Sequence, residues 1–216
     1  MSINDLGLIE EELPPVDPGD LPAQGYAFLQ PKGYVFTVPK ITDEDIGIDK
    51  PLVKVESIVG AAQAEIVKVK FSGKHALQVG NQQFGASLSN RPRMLRGVQV
   101  NDLAYLAGAT GYPDVLRSNR DYIKALQAAA GKSFKADVEL NASCRSTHDI
   151  YDDTGEQVLG VKGCGQEWHL RAYKKKNGKQ VVAMPKASDG SYAETFPCNC
   201  GAYLRAFPNL SNIRAV

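Results

Sequence analysis

Phe134-Lys135-Ala136-Asp137-Val138-Glu139-Leu140 alternates between apolar and polar side chains without a break. In a β-strand successive side chains point to opposite faces, so this period of two predicts a half-buried strand. The residues expected on the core face are Phe134, Ala136, Val138 and Leu140. We therefore expect a sheet with one face on a hydrophobic core.

Further strand signals flank this segment. They are runs of β-branched and aromatic residues, or alternating runs, that end at Gly, Pro or Ser. The predicted strands are 34–38, 66–71, 75–79, 84–89 and 202–207. Residues 52–59 fit a strand or a short helix equally well. Asn177-Gly178 predicts a hairpin that joins 168–173 to 180–184, because this pair suits a tight turn.

Two short helices are predicted between the early strands and the 134–140 strand. Asn101 or Asp102 can cap a helix over 103–107, and Asn119 can cap one over 122–130. Gly131 is a suitable residue to end the second helix. The fold class expected from the residues is therefore mostly β with a short helical segment between strands.

The charge is distributed unevenly along the 216 residues. Residues 1–20 hold six acidic side chains and no Lys or Arg, whereas the other 196 residues carry a net charge of +7. We predict a disordered, proline-rich acidic tail over 1–23 and a folded domain over 24–216. A basic body favours an anionic partner, although an ordinary solvated surface explains the charge equally well.

Nothing in the sequence indicates a membrane protein or a secreted one. No apolar run approaches the roughly 20 residues needed to cross a bilayer, and the first residues lack the basic and apolar pattern of a secretory signal. We therefore expect a cytoplasmic protein without a membrane partner.

All four cysteines lie after residue 143, at Cys144, Cys164, Cys198 and Cys200. Four thiolates suit Zn²⁺, which prefers a tetrahedron of soft or borderline ligands. The set predicts a structural zinc site, because no position is left open for water. His148 or His169 can replace one thiol, and free buried thiols or a disulfide are the remaining alternatives.

The sequence contains none of the common catalytic motifs, such as a glycine-rich phosphate loop or a His-Glu-x-x-His helix. Asp149, Asp152 and Asp153 cluster beside His148 and are compatible with metal-dependent chemistry. The composition of Asp152-Asp153-Thr154-Gly155 is also that of a solvated turn, which we favour. We therefore expect no enzymatic activity.

Basic and aromatic residues together indicate a nucleic-acid surface. Binders of single-stranded DNA combine a cationic groove for phosphates with aromatic faces for bases. The candidate cations are Arg91, Arg93, Arg96, Lys174, Lys175, Lys176 and Lys179, and the candidate aromatics are Trp168, Tyr173, Tyr34 and Phe36. The alternatives are core packing for each aromatic and a solvated hairpin tip for the lysines. Tyr34 and Phe36 are two residues apart on a predicted strand and therefore share a face. Either both side chains form the floor of the binding groove, or both lie in the core.

The order of these elements resembles the OB-fold, in which a helix lies between the third and fourth strands. The matching pieces span about 33–210 and include Ser89-Asn90-Arg91-Pro92-Arg93, residues 101–106, residues 131–138 and residues 198–206. Together they resemble phage-type single-stranded DNA-binding proteins. The resemblance implies an OB-fold-like β-barrel whose fourth and fifth strands are 134–140 and 202–207, with a zinc ribbon inserted over about 144–200.

Three functions remain open at this point. The first is a non-enzymatic single-stranded DNA-binding protein in phage replication or recombination, with replication or recombination proteins as partners in the host cytoplasm. The second is a structural or assembly protein stabilised by its zinc ribbon. The third is a metal-dependent nucleic-acid enzyme that uses the aspartates near His148.

Overall fold

A computed structural model describes residues 26–57, 65–95, 98–151 and 158–216. The predicted acidic tail over 1–23, Arg96, Asp152 and Asp153 lie outside the described residues, as do the side chains of His148 and Asp149.

The described residues form seventeen β-strands and two α-helices. The strands up to the helices are β1 (Gly33–Thr37), β2 (Val53–Ser57), β3 (Glu65–Phe71), β4 (Leu77–Val79), β5 (Gln82–Phe84), β6 (Ala86–Ser89), β7 (Arg93–Leu95) and β8 (Val98–Val100). The helices are α1 (Asp102–Ala109) and α2 (Asn119–Ala129). The later strands are β9 (Ser133–Ser143), β10 (Thr147–Tyr151), β11 (Val158–Gly163), β12 (Glu167–His169), β13 (Tyr173–Lys174), β14 (Gln180–Ala183), β15 (Thr195–Pro197), β16 (Tyr203–Arg205) and β17 (Phe207–Arg214).

Strand β9 contains the alternating segment and lies at the centre of an eight-stranded sheet. One edge of β9 pairs with β1 along its first half and with β12 near its end, while the other edge pairs with β17. All three pairings are antiparallel, but β12 and β14 pair in parallel, so the sheet is mixed. The predicted core face of β9 is confirmed, because the side chains of Phe134, Ala136, Val138 and Leu140 are buried.

The core lies between this sheet and a three-stranded sheet of order β2-β3-β6. The largest fully buried side chains come from both sheets, and Phe36 stacks on Phe134 with ring centroids 5.6 Å apart. The segment 52–59, which fitted a strand or a helix by sequence, contains a strand over Val53–Ser57.

The helices cover another side of the core, and their ends follow local rules. Asn101 caps α1 through a 2.7 Å hydrogen bond from the amide of Ala104, as predicted. The predicted cap of α2 was wrong by one residue, because Ser118 and Asp121 form a reciprocal capping box there. Neither described helix has the length and apolar character needed to span a membrane.

The mostly β class is confirmed, but the described strands do not close into a barrel. The path of the large sheet runs β13-β14-β12-β9-β1-β4-β5, and its two end strands do not pair with each other. Strand β3, which contains the predicted strand 66–71, belongs to the separate three-stranded sheet. The OB-fold expectation is therefore retained only at the level of a mostly β chain with helices between strands.

The last predicted strand also differs. Residues 203–205 pair with β15, and it is β17, beginning at Phe207, that pairs with β9. The sequence prediction missed β17 because Pro208 and its polar residues weaken the strand signal. By contrast, the Asn177-Gly178 turn is confirmed, because it joins the antiparallel strands β13 and β14, with Gly178 at a φ of 83°. The predicted first arm over 168–173 was wrong for most of its length, since only Tyr173 belongs to β13 and β12 pairs with β14 in parallel.

Candidate metal centre

The four cysteines lie where strands end or turn. Cys144 directly follows β9 and Cys164 directly follows β11, so the β10–β11 hairpin separates them. Cys198 directly follows β15, and Cys200 lies in the turn that leads to β16. Cys144 and Cys164 therefore come from two turns at the base of the β10–β11 hairpin, whereas Cys198 and Cys200 come from a single further turn.

The sulfur atoms meet in one cluster, with all four within 4.8 Å of one another. The Sγ atoms of Cys144 and Cys200 are 3.5 Å apart, and those of Cys164 and Cys198 are 3.8 Å apart. A tetrahedral site with metal–sulfur bonds of ~2.3 Å requires sulfur separations of ~3.8 Å, so the cluster has the size that a metal ion needs. These separations are far longer than a disulfide bond of ~2.05 Å.

Backbone amides point at three of the four sulfurs. In each case the amide two residues after the cysteine donates: Ser146 to Cys144, Gln166 to Cys164 and Ala202 to Cys200. Hydrogen bonds to a thiolate stabilise its charged form. The local backbone is therefore arranged for sulfur in the ionised state that binds metals.

The cysteine turns are themselves held by backbone hydrogen bonds. The amide of Cys144 donates to the Gln166 carbonyl and the amide of Cys164 donates to the Ser146 carbonyl, both at 2.8 Å. In the turn between β15 and β16, the amide of Gly201 donates to the Cys198 carbonyl at 2.9 Å. Gly201 has a φ of 86°, a conformation that strongly favours glycine and explains the Cys-x-Cys-Gly sequence.

The thiols are electrostatically coupled. Hydrogen bonds from the Ser146 hydroxyl and amide lower the pKa of Cys144 to about 6. The Gln166 amide acts to lower the pKa of Cys164, but burial and the neighbouring sulfurs outweigh it and raise that pKa to about 12. Several thiolates cannot coexist in this volume without a cation, because like charges repel strongly at such distances. The cluster thus fits a cation.

Cysteine alone supplies the ligands among the described side chains. His169, a predicted alternative ligand, belongs to β12 and makes an edge contact with the Tyr173 ring at 5.8 Å between centroids. Cys144 and Cys198 are buried, and Cys164 and Cys200 are partly exposed. The four-cysteine cluster is therefore confirmed as a site that can hold a metal ion.

A scan against models of protein families gave no match, and searches of curated proteins and of solved structures gave none either. The site must therefore be interpreted from its own geometry.

Three of the predicted base-stacking aromatics lie on the core side. Phe36 is fully buried, and Tyr34, two residues earlier on β1, packs against the core. Trp168 is 6% exposed, and its ring meets Phe196 edge-on at 5.2 Å between centroids. Their pairing with β9 explains this, because Phe36 lies opposite Phe134 and Trp168 lies opposite Ala142, both on the core face. The prediction that Phe36 and Trp168 stack on bases was wrong.

Tyr173 and the lysines of the hairpin are at the surface. Tyr173 is 46% exposed. Lys175 and Lys179 both pair with Glu167, at 2.5 and 2.8 Å, which lowers the pKa of that carboxyl and neutralises part of the lysine charge. Lys174 and Lys176 are exposed and pair with no carboxylate among the described residues.

The predicted arginines are not part of the same sheet as this hairpin. Arg91 is exposed just after β6, at the edge of the three-stranded sheet. Arg93 in β7 pairs with Asp102 at 2.9 Å, so part of its charge is neutralised.

Exposed residues that the sequence interpretation missed lie beside the cysteines. Tyr203 is 81% exposed and Phe207 is 56% exposed, whereas Leu204 and Ala206 between them are buried. A signal was available, since 203–207 alternates with period two. This alternation places Tyr203 and Phe207 on the side opposite Leu204 and Ala206. Arg145, directly after Cys144, is also exposed.

Proposed function

We propose that this protein binds single-stranded DNA without catalysing a reaction, and that a zinc ion in the four-cysteine cluster stabilises its fold. The observation that carries the proposal is the exposed β13–β14 hairpin, on which Tyr173 stands beside Lys174 and Lys176. An exposed ring next to unpaired cations is the combination that binders of single strands use for bases and phosphates. Participation in phage replication or recombination is the biological setting we propose for this activity.

Zinc is the metal that the ligand set favours. Four cysteine sulfurs in a cluster of tetrahedral size are typical of structural zinc, whereas oxygen ligands would indicate calcium or magnesium. Because the chain supplies all four ligands, no coordination position is reserved for a substrate or an activated water. This supports a structural role and a non-enzymatic protein.

The zinc would hold together parts of the chain that local structure alone does not connect. Cys144 directly follows the central strand β9, while Cys198 and Cys200 belong to the β15–β16 turn. A metal that joins them would fix β16, and the start of β17 after it, against the end of β9. We therefore propose that the metal has a structural role in supporting a surface and takes no part in a chemical reaction.

A salt titration tests the DNA-binding proposal. Affinity for labelled oligo-dT is measured by fluorescence anisotropy at several salt concentrations. Reversing the charge of Lys174 and Lys176 together should weaken binding and reduce the salt slope by ~0.7 for each phosphate that the variant no longer neutralises. The matched control reverses Lys40 and Lys50, which are exposed in another part of the chain and change the net charge equally.

Comparing the two variants separates binding through the hairpin lysines from a general effect of the protein's net charge. A larger decrease in affinity for the hairpin variant than for the control supports the proposal. Equal decreases would show that only net charge matters. A wild-type protein without measurable affinity at low salt would refute DNA binding and favour the structural or assembly alternative.

A further inference from the structure

Asn141 is one of the residues of the central strand that are paired from both sides. Asn141 of β9 lies opposite His169 of β12 on one edge and opposite Phe207 of β17 on the other. Directly opposed residues in a sheet share a face, so these three side chains form a row across three adjacent strands. The row lies on the face opposite the core, since its neighbours Leu140 and Ala142 are buried.

The row continues toward the basic hairpin. The ring of His169 meets that of Tyr173 edge-on, with centroids 5.8 Å apart. Tyr173 immediately precedes Lys174, which is exposed. The outer face thus carries the rings of Phe207, His169 and Tyr173, with polar Asn141 between the first two. The row ends at the cation of Lys174.

The other end of the row opens into a cleft of about 760 Å³ beside the metal centre. Its lining residues are Asn141, Ser143, Arg145, Ser146, Tyr203, Leu204, Arg205 and Phe207. The lining has two arginines and no carboxylate, although Arg205 pairs with Glu194 at 2.6 Å. Arg145 has no carboxylate within ion-pair distance among the described residues.

The two rings at this end of the row are largely exposed to solvent. Tyr203 is 81% exposed and Phe207 is 56% exposed, more than either exposed tyrosine elsewhere in the described residues, Tyr26 or Tyr173. Neighbouring rings that remain in water, next to an arginine, are a feature of binding surfaces. The charge of Arg145 and the polar lining make a polyanion with flat bases a better match than an apolar peptide.

We propose that this outer face, from Tyr203 and Phe207 to Tyr173, is the track along which a single-stranded nucleic acid lies. The proposal rests on the function proposed above and names its site. Tyr203 and Phe207 stack on bases, Asn141 and Ser143 offer donors and acceptors to base edges, and Arg145 contacts a phosphate. The hairpin cations receive the strand at the far end.

The metal centre supports the start of this track. Arg145 and Ser146 directly follow Cys144, and Tyr203 comes three residues after Cys200. Because both cleft walls continue from cysteine turns, a metal that joins the turns also sets the separation of the walls. The track is thus assembled from segments that contact the metal ligands.

The test compares Tyr203→Ala and Phe207→Ala with Tyr203→Phe, which keeps the ring, and with Val115→Ala as the control. Val115 is 69% exposed in the segment between the helices, so its truncation also removes exposed apolar surface. We expect each ring deletion to weaken oligo-dT binding about 5- to 150-fold without changing the salt slope, because stacking releases no counterions. Tyr203→Phe and Val115→Ala should bind as the wild type does.

Arg145→Gln provides a second, independent signature. It should reduce the salt slope by ~0.7 and leave the zinc content unchanged. Photo-crosslinking of the wild-type protein to a 5-iodouracil oligonucleotide, followed by peptide mapping, is expected to label the segment that contains Tyr203 and Phe207. This last measurement does not depend on whether a variant folds.

The outcomes distinguish this inference from the function it depends on. If the wild type binds but both ring deletions bind equally well, or crosslinks map only to the three-stranded sheet, the track is wrong while DNA binding stands. If the wild type does not bind single strands at all, both proposals fail.

Discussion

The sulfur atoms of Cys144 and Cys200 are 3.5 Å apart although 56 positions separate them in the chain. The contact brings the end of the central strand β9 to the turn between β15 and β16. Ordinary packing does not favour so close an approach of thiols that are ionised to bind metal, since their charges repel. A metal ion bound between these thiolates would replace their repulsion with attraction to the cation, and the contact would then stabilise the fold.

Removing either thiol of the tight turn should abolish stable metal binding. We expect Cys198→Ser and Cys200→Ser each to fall from about one zinc per chain to nearly none, because three sulfurs and a hydroxyl make a poorer site. Asn199→Ser, the substitution of the residue between them, is the matched control and should keep its zinc. Elemental analysis of the purified variants gives the ratio. Full metal retention in both cysteine variants would contradict the four-cysteine assignment.

Adjacent residues of β1 should differ sharply in their effect on stability. Phe36 is fully buried, so Phe36→Ala should lower the free energy of unfolding by about 3–5 kcal/mol. Val35 is 46% exposed on the other face, so Val35→Ala should change it by less than about 0.5 kcal/mol. Urea unfolding followed by circular dichroism measures both. Equal effects would contradict the assignment of Phe36 to the core.

Asp45 should stabilise the protein in a pH-dependent way. An ion pair with Lys74 at 2.7 Å, and then hydrogen bonds from Thr42, hold the pKa of this buried carboxyl well below its ordinary value of 3.8. A carboxyl with a depressed pKa in the folded state contributes stability above its unfolded pKa, and the contribution disappears as pH falls toward the folded pKa.

Asp45→Asn should therefore be less stable than the wild type at about pH 7, and the difference should shrink as pH falls below about 4. Asp49→Asn, at an exposed position on the same loop, serves as the control and should show little difference at either pH. Thermal melting across this pH range makes the comparison. A difference that is constant with pH would show that the charge of Asp45 is not the cause.

Deletion of residues 1–20 should leave the melting temperature unchanged and tighten DNA binding. The segment carries six acidic side chains, and it can compete with phosphates for the basic surface. A full-length variant in which those six are replaced by Asn and Gln separates charge from length, and it should bind as tightly as the deletion does. Anisotropy titrations at low salt provide the affinities. Identical affinities for the deletion and the wild type would refute competition by this segment.

Local patterns were sufficient where neighbours along the chain decide the structure. The alternation at 134–140 predicted both the strand and its buried face, and Asn101 caps the first helix, as one of the two predicted candidates. The grouping of four cysteines in the last third of the chain predicted one cluster, which the sulfur positions confirm. These inferences depend on side-chain chemistry and backbone geometry over a few residues.

The same reasoning failed where it had to decide which face of a strand is buried in the core. Periodicity correctly required Tyr34 and Phe36 to share a face, but it did not say that this face meets Phe134. Trp168 was interpreted as a stacking residue, and its pairing opposite Ala142 places it inside instead. A strand pattern gives the relative orientation of its side chains, while burial depends on which strand lies beside it.

By itself the sequence determined the mostly β class with two helices, the turn at Asn177-Gly178 and the four thiols available for a metal. Only the tertiary structure decided that β17 occupies the second edge of β9, that Cys144 meets Cys200, and that Phe207, Asn141 and His169 form one exposed row. The physical reason is distance along the chain. Backbone geometry enforces a period of two within each strand, but register and burial arise from contacts between segments that lie dozens of residues apart.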